Sequence, residues 1–146
     1  MRFVMLLKGN EVTEAGVLPS QKILEAMGRY NEEMVKAGVM LAAEGLHPSS
    51  KGARISFSGG KRTVTDGPFT EAKELIAGFW VIQAKSLEEA IEWARRCPFE
   101  ADDQHGGEAE IEIRQVFEAD DFGPELTPEL REAEERLRQQ VSQQQQ

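Results

Sequence analysis

Nine consecutive residues near the middle of the chain, Asp66-Gly67-Pro68-Phe69-Thr70-Glu71-Ala72-Lys73-Glu74, set three carboxylates, one lysine and one aromatic ring around a Gly-Pro step. Groups of this kind exchange protons near neutral pH once burial and neighbouring charge shift their pKa values. Asp66 is the first candidate. It stands directly before Gly-Pro, where a carboxylate either holds a turn by accepting backbone N–H bonds or serves as a general base or ligand contact at the rim of a cleft. Both roles stay open, and one residue can fill both. Glu71 and Glu74 are three apart and share a face if the stretch forms a helical turn. Asp66 would then complete an acidic cluster, with Glu74 as a second proton-transfer group and Glu71 and Lys73 as ligand contacts. On a solvated surface the same charges would have no such role.

Outside this stretch, His47 in Gly-Leu-His-Pro-Ser is the spare acid or base if it reaches Asp66, because its pKa is the most easily tuned across neutrality. Otherwise it is an exposed loop residue. Arg114 points away from Ile111 and Ile113 and could pair with an acid across a sheet or bind an anion. Glu44 is a further ligand-contact candidate, and Tyr30 and Asn31 on the first helix are weaker ones. His105 in Gln-His-Gly-Gly belongs to a loop surface, and Cys97 before Pro98 to the core as a small thiol. No spacing of His, Cys or acids matches a zinc or iron site. Phosphate loop, dinucleotide fingerprint and nucleophile elbow are absent from the sequence. The expectation is a site without metal or organic cofactor.

The elements that must position these residues follow from periodicity. Arg2 to Lys8 is apolar on both faces and predicts a buried strand. A loop follows through Asn10, Gly16 and Pro19. Ser20 as N-cap, then Ile23, Leu24, Met27, Tyr30 and Met34, predict a helix over about Gln21 to Ala37 that ends at Gly38. Val39 to Ala43 predicts a second strand, and Glu44 to Ser50 a loop. Arg54 to Ser58 and Lys61 to Thr65 flank Gly59-Gly60 and predict a hairpin with a type I′ turn, which delivers the chain to Asp66. Gly67 and Pro68 shape the junction, and Phe69 is expected to anchor in the core. Ala77 to Ala84 predicts a strand. Ser86 and Glu89 form a capping box for a helix that stops before Pro98. Ala109 to Phe117 predicts a last strand. Thr127-Pro128 opens a third helix with a stripe of Leu126, Leu130, Ala133, Leu137 and Val141, and the glutamine-rich end is expected to fray.

The order strand–helix–strand, hairpin, strand–helix–strand predicts an α+β sandwich of the ferredoxin-like βαββαβ kind with a central β-hairpin, plus a C-terminal helix. Residues 1–117 form the domain, and 118–146 an acidic linker, helix and tail. Both helices cover one face of the sheet. Three strands apolar on both faces leave a large uncovered surface, which monomers rarely tolerate. A homodimer with two sheets face to face, a dimeric α/β barrel, is therefore expected.

Composition narrows the class. The net charge is −9. From Glu118 onward eight acids meet three bases, and the remainder is acidic too, so binding of nucleic acid by phosphate neutralisation is not expected. No apolar run approaches the length of a membrane span, and the start of the chain lacks the pattern of a secretory signal. One cysteine excludes an internal disulfide and fits a reducing compartment. A cytoplasmic location is expected.

The residues resemble a known family. Asp66-Gly67-Pro68-Phe69 with Glu71, Lys73, Glu74 and Gly78, together with Gly38, Glu44-Gly45-Leu46, Ala90 to Pro98 and Glu112-Ile113-Arg114, is similar to the signature of the DGPF group of YCII-related proteins. The resemblance covers about residues 2 to 117. It implies the dimeric ferredoxin-like fold reached above. In the broader YCII group a His–Asp pair is a proposed catalytic or ligand site. The resemblance maps the aspartate to Asp66, while the first helix here carries no histidine. It also implies frequent linkage to extracytoplasmic-type sigma factors. Two functions follow as expectations: small-molecule binding near the motif, with cofactor-free acid/base catalysis as its enzymatic form, or a non-catalytic regulatory or ligand-binding module linked to sigma-factor signalling.

Overall fold

In the computed structural model, which describes residues 1–70, 74–102 and 108–145, the chain divides into two compact units, Met1–Gln115 and Val116–Gln146. The first unit contains strands β1 (Arg2–Lys8), β2 (Met40–Gly45), β3 (Ala53–Ser58), β4 (Lys61–Asp66), β5 (Ile76–Gln83) and β6 (Ile111–Gln115). Its helices are α1 (Glu11–Glu14), α2 (Gln21–Lys36) and α3 (Leu87–Arg95). The second unit contains α4 (Pro128–Gln144).

Four strands form one antiparallel sheet in the order β2-β5-β1-β6, and β3 and β4 pair separately as a hairpin. Antiparallel α+β architecture of this order, with two long helices, is compatible with a ferredoxin-like fold. The register places Phe3 beside Ile82 and Met5 beside Trp80. These four residues are buried beneath Tyr30 and Met34 of α2 and Ala90 of α3. Completely burying a side chain of this size contributes roughly 1.5–3 kcal/mol, so this layer dominates the unit's stability. Strand alternation then turns Val4, Leu6, Phe79 and Val81 to the opposite face, where they are only partly buried.

Local sequence explains the long elements. Ser20 accepts the Ile23 amide at 3.3 Å, and Ile23, Ala26, Tyr30 and Met34 recur at helical spacing on the buried side of α2. The helix stops in a Schellman motif. The Val39 amide donates to Met34 and the Gly38 amide to Val35, with Gly38 at φ 71°, a conformation that favours glycine. In α3, Ser86 accepts the Glu89 amide at 3.1 Å. The Glu89 carboxylate closes the cap on the Lys85 amide, one residue outside the expected partner. Gly59 and Gly60 hold positive φ in the hairpin turn, as a type I′ connection requires.

Several boundaries differ from the periodicity. The stretch expected to be loop after β1 contains α1, because Asn10 and Thr13 cap each other reciprocally. Strand β2 is not buried on both faces. It is a sheet edge with a register irregularity between Met40 and Ala42, which leaves Leu41 exposed. Strand β6 spans only Ile111–Gln115. The helix in the second unit spans Pro128–Gln144 and so includes glutamines of the tail. In that unit Thr127 caps α4, Asp120 pairs with Arg131 at 2.7 Å, and the rings of Phe117 and Phe122 stack at 5.1 Å.

Candidate functional site

Three segments of the first unit meet at the Gly-Pro turn. Helix α1 supplies Glu14, whose carboxylate accepts from the Ser49 amide at 3.0 Å and from the Ser49 hydroxyl. The same hydroxyl accepts from the Phe69 amide at 2.9 Å. The Gly67 amide donates to the Gly52 carbonyl at 3.0 Å. The Gly67-Pro68 peptide is cis. A Cβ on Gly67 would stand 1.7 Å from the Ser49 carbonyl oxygen, so only glycine allows this approach. The turn is thus fixed by Ser49, Glu14 and backbone bonds.

Asp66, at the end of β4, is exposed. Its backbone pairs opposite Ala53, and its carboxylate makes no hydrogen bond or ion pair to a described residue. The turn-holding role that its position suggested is filled by Ser49. Glu74 pairs with Arg54 at 3.3 Å, and the Arg54 guanidinium lies 4.0 Å from the centroid of Phe69. Phe69 is therefore a partly buried platform for a cation at the hairpin base, not an anchor inside the core. His47 is exposed on the adjoining loop. Among the described residues no hydrogen bond or ion pair joins any two of Asp66, His47 and Glu74.

The other candidates fall in two places. Glu44 pairs opposite Phe79 and Arg114 opposite Val4, so both border the apolar rows on the sheet face turned away from α2 and α3. Arg114 contacts Glu112 of its own strand at 3.4 Å, and Glu112 also contacts Lys8 at 3.7 Å. Tyr30 lies elsewhere, in the core. It is buried, donates its hydroxyl to the Trp93 carbonyl at 2.7 Å and meets Trp80 edge to face. Burial and the nearby Cys97 raise its pKa above the ordinary tyrosine value. Asn31 is likewise occupied, accepting from Trp80 Nε1 at 2.9 Å. Cys97 is buried with its sulfur 3.7 Å from that of Met27. Glu71, Lys73 and His105 lie outside the described residues.

Two residues that organise the site, Glu14 and Ser49, escaped the sequence reading. The Asn10-x-x-Thr13 spacing could have located α1 and with it Glu14. Its partner stands 35 positions away, and no local pattern reports a contact at that separation. An open depression of about 410 Å³ lies away from the motif between α3 and β6, lined by Ile91, Ala94, Phe99, Ile111 and Ile113 among others. Among the described residues no three His, Cys, Asp or Glu side chains gather as metal ligands would, and no helix is long and apolar enough to cross a membrane.

A four-stranded antiparallel sheet backed by two helices, with a separate hairpin and an Asp-Gly-Pro-Phe turn at its base, makes the first unit a small α+β domain. The family model of the YCII-related domain matches residues 1–119. The chain belongs to the YCII-related family. A protein of Rhizobium meliloti (strain 1021), itself described as uncharacterised, is similar at 33% identity over 75 residues, 51% of this chain and 60% of that protein.

Proposed function

We propose that this YCII-related protein is a homodimer that binds a small polar molecule at the Asp66 end of its first unit. The observation that carries this reading is the state of Asp66. Its carboxylate is exposed and without a described partner, yet it stands at the edge of a turn that Ser49 and Glu14 hold in place. An acceptor fixed by its surroundings but not consumed by them suits a ligand that offers N–H or O–H donors. Binding is the simpler reading, because among the described residues neither His47 nor Glu74 makes a hydrogen bond or ion pair to Asp66 as a second proton-transfer group.

The dimer reading rests on the uncovered face of the sheet. Val4 and Leu6 of β1 stand beside Val81 and Phe79 of β5 and form an apolar centre bordered by Glu44, Glu112 and Arg114. A second copy stacking the same face covers it by twofold symmetry, as in a ferredoxin-like dimeric α/β barrel.

A thermal-shift metabolite screen on wild type and Asp66→Asn tests the binding reading. A ligand present at 100 times its Kd stabilises wild type by roughly 2.7 kcal/mol. The expected result is a hit whose shift falls sharply in Asp66→Asn. A hit that stabilises both proteins equally removes Asp66 from the site. Conversion of the hit by wild type, lost in the variant, would instead assign Asp66 a proton-transfer role.

A further inference from the structure

The β3–β4 hairpin carries an apolar face that its own unit leaves open. The two strands pair only with each other, and a lone two-stranded hairpin is marginal in water. Directly opposed cross-strand residues share a face. Ala53 stands opposite Asp66, Ile55 opposite Val64 and Phe57 opposite Arg62, so these six side chains lie on one side. Arg54 lies on the other side, where it meets Phe69 and Glu74. Ile55, Phe57 and Val64 are 57%, 70% and 63% exposed. The open face therefore has an apolar centre, a cation near its tip and an anion at its base. Neither charge is neutralised within the chain. The Arg62 guanidinium lies 5.5 Å from the centroid of Phe57, but neither it nor the Asp66 carboxylate forms an ion pair with a described residue.

The spacing selects the occupant. Arg62 and Asp66 stand two residues either side of Val64, and Ala53 and Phe57 two either side of Ile55. Consider two such faces stacked about a twofold axis that crosses both strands at the Ile55–Val64 level. Strand β4 then lies on β4 in the opposite direction. Val64 meets Val64 and Ile55 meets Ile55. Arg62 of each copy meets Asp66 of the other, and the bulky Phe57 of each covers the small Ala53 of the other. A twofold axis along the strands would instead set Arg62 on Phe57 and Asp66 on Ala53, leaving the carboxylate uncompensated. We propose that this hairpin face docks antiparallel on the same face of a second copy of this chain. Its few side chains cover well under the roughly 800 Å² per partner of a standard interface, so the contact is weak. It is separate from the sheet-face dimer and doubles whatever species that face forms. Pairing and a ligand would compete for the Asp66 carboxylate, but the pairing does not depend on such a ligand.

Sedimentation equilibrium of the full chain, from about 10 µM to about 1 mM at low salt, tests the proposal. Wild type is expected to double its mass toward the upper end of this range. Arg62→Asp sets like charges against each other twice, and so does Asp66→Arg. Each alone weakens the doubling at least about tenfold, and an equimolar mixture of the two variants restores it to within about threefold of wild type. Phe57→Ser, which removes apolar area from the stacked centre, also weakens it about tenfold. All three positions are exposed, so these chains fold. Absence of the doubling in wild type overturns the proposal, as does a doubling indifferent to the charge variants. Failure of the mixture to recover overturns the antiparallel register. A doubling that needs Arg62 but ignores Phe57→Ser would mean that the strands add edge to edge, which overturns the stacking. Leu6→Lys, which opens the sheet-face dimer, leaves the Arg62-dependent step in place, so the two readings fail separately.

Discussion

The Ser49 hydroxyl donates to the Glu14 carboxylate while accepting the Phe69 amide. One side chain thus ties a short helix after the first strand to the turn between the hairpin and β5. Ser49→Ala leaves the Phe69 amide without this acceptor and the carboxylate short of one donor. Loss of one partner in a partly buried, charge-assisted bond costs about 1–3 kcal/mol. Glu14→Gln keeps one acceptor oxygen for the Ser49 amide and presents an N–H donor to the Ser49 hydroxyl in place of the other oxygen, so it is expected to cost less than Ser49→Ala. Urea unfolding of both variants measures this order. Equal or reversed costs would show that the link is not carried by the hydroxyl.

Adjacent residues Asp66 and Gly67 are expected to behave oppositely. Asp66 is exposed and makes no contact at bonding distance with a described residue, so Asp66→Asn changes stability by less than about 0.5 kcal/mol. Gly67→Ala drives a methyl into the Ser49 carbonyl oxygen, 1.7 Å from its ideal position. The turn must move away from the loop carrying Ser49, at about 3 kcal/mol. Thermal unfolding of the two variants side by side decides this. A wild-type midpoint for Gly67→Ala would mean that the turn is not seated on Ser49.

Alkaline pH should loosen the first unit from its core. Burial, and after it the nearby Glu100 carboxylate, push the Cys97 thiol from its ordinary 9 up to about 12. Tyr30 is shifted in the same direction by burial. Both groups hold their protons more tightly folded than unfolded. Their contribution is fully present below the unfolded pKa and is lost as pH rises, for Cys97 between about 9 and 12. Each proton bound by the folded but not the unfolded chain lowers stability by about 1.4 kcal/mol per pH unit in that window. Urea midpoints should therefore fall from pH 9 upward, and Cys97→Ala should flatten the fall. The same burial predicts that an aqueous thiol reagent at pH 8 labels Cys97 only on unfolding.

These relationships were unequally legible in the sequence. Strand β1, the span of α2 and the Gly-Gly hairpin follow from patterns within a few residues, where alternation, a serine cap and paired glycines act locally. Strand order and edge status depend on distant partners. That is why β2 reads as buried, although Leu41 lies at an exposed edge. Tyr30 shows the same limit. Its helical spacing reports that it faces inward, but not that its hydroxyl is spent on Trp93, 63 positions away. Asp66 is legible as a residue before a Gly-Pro turn. That Ser49 supplies a hydrogen bond to the turn, while the Asp66 carboxylate bonds to none of the described residues, depends on a contact made only in three dimensions.

The sheet face gives the test of the proposed dimer. Leu6 pairs beside Phe79 on one side and Glu112 on the other, on the face turned away from α2 and α3. A lysine there can reach Glu112 and water in a single chain, extending the Lys8–Glu112 contact already present. Stacked against a second sheet, two such lysines would be buried across a twofold axis, each at a cost of several kcal/mol. Leu6→Lys is therefore expected to remain folded by circular dichroism but to sediment as a monomer at concentrations where wild type is a dimer. Unchanged dimerisation would exclude this face as the interface. A wild type that is itself monomeric throughout the micromolar range would leave Val4, Leu6, Phe79 and Val81 as an apolar surface facing water, and would refute the dimer outright.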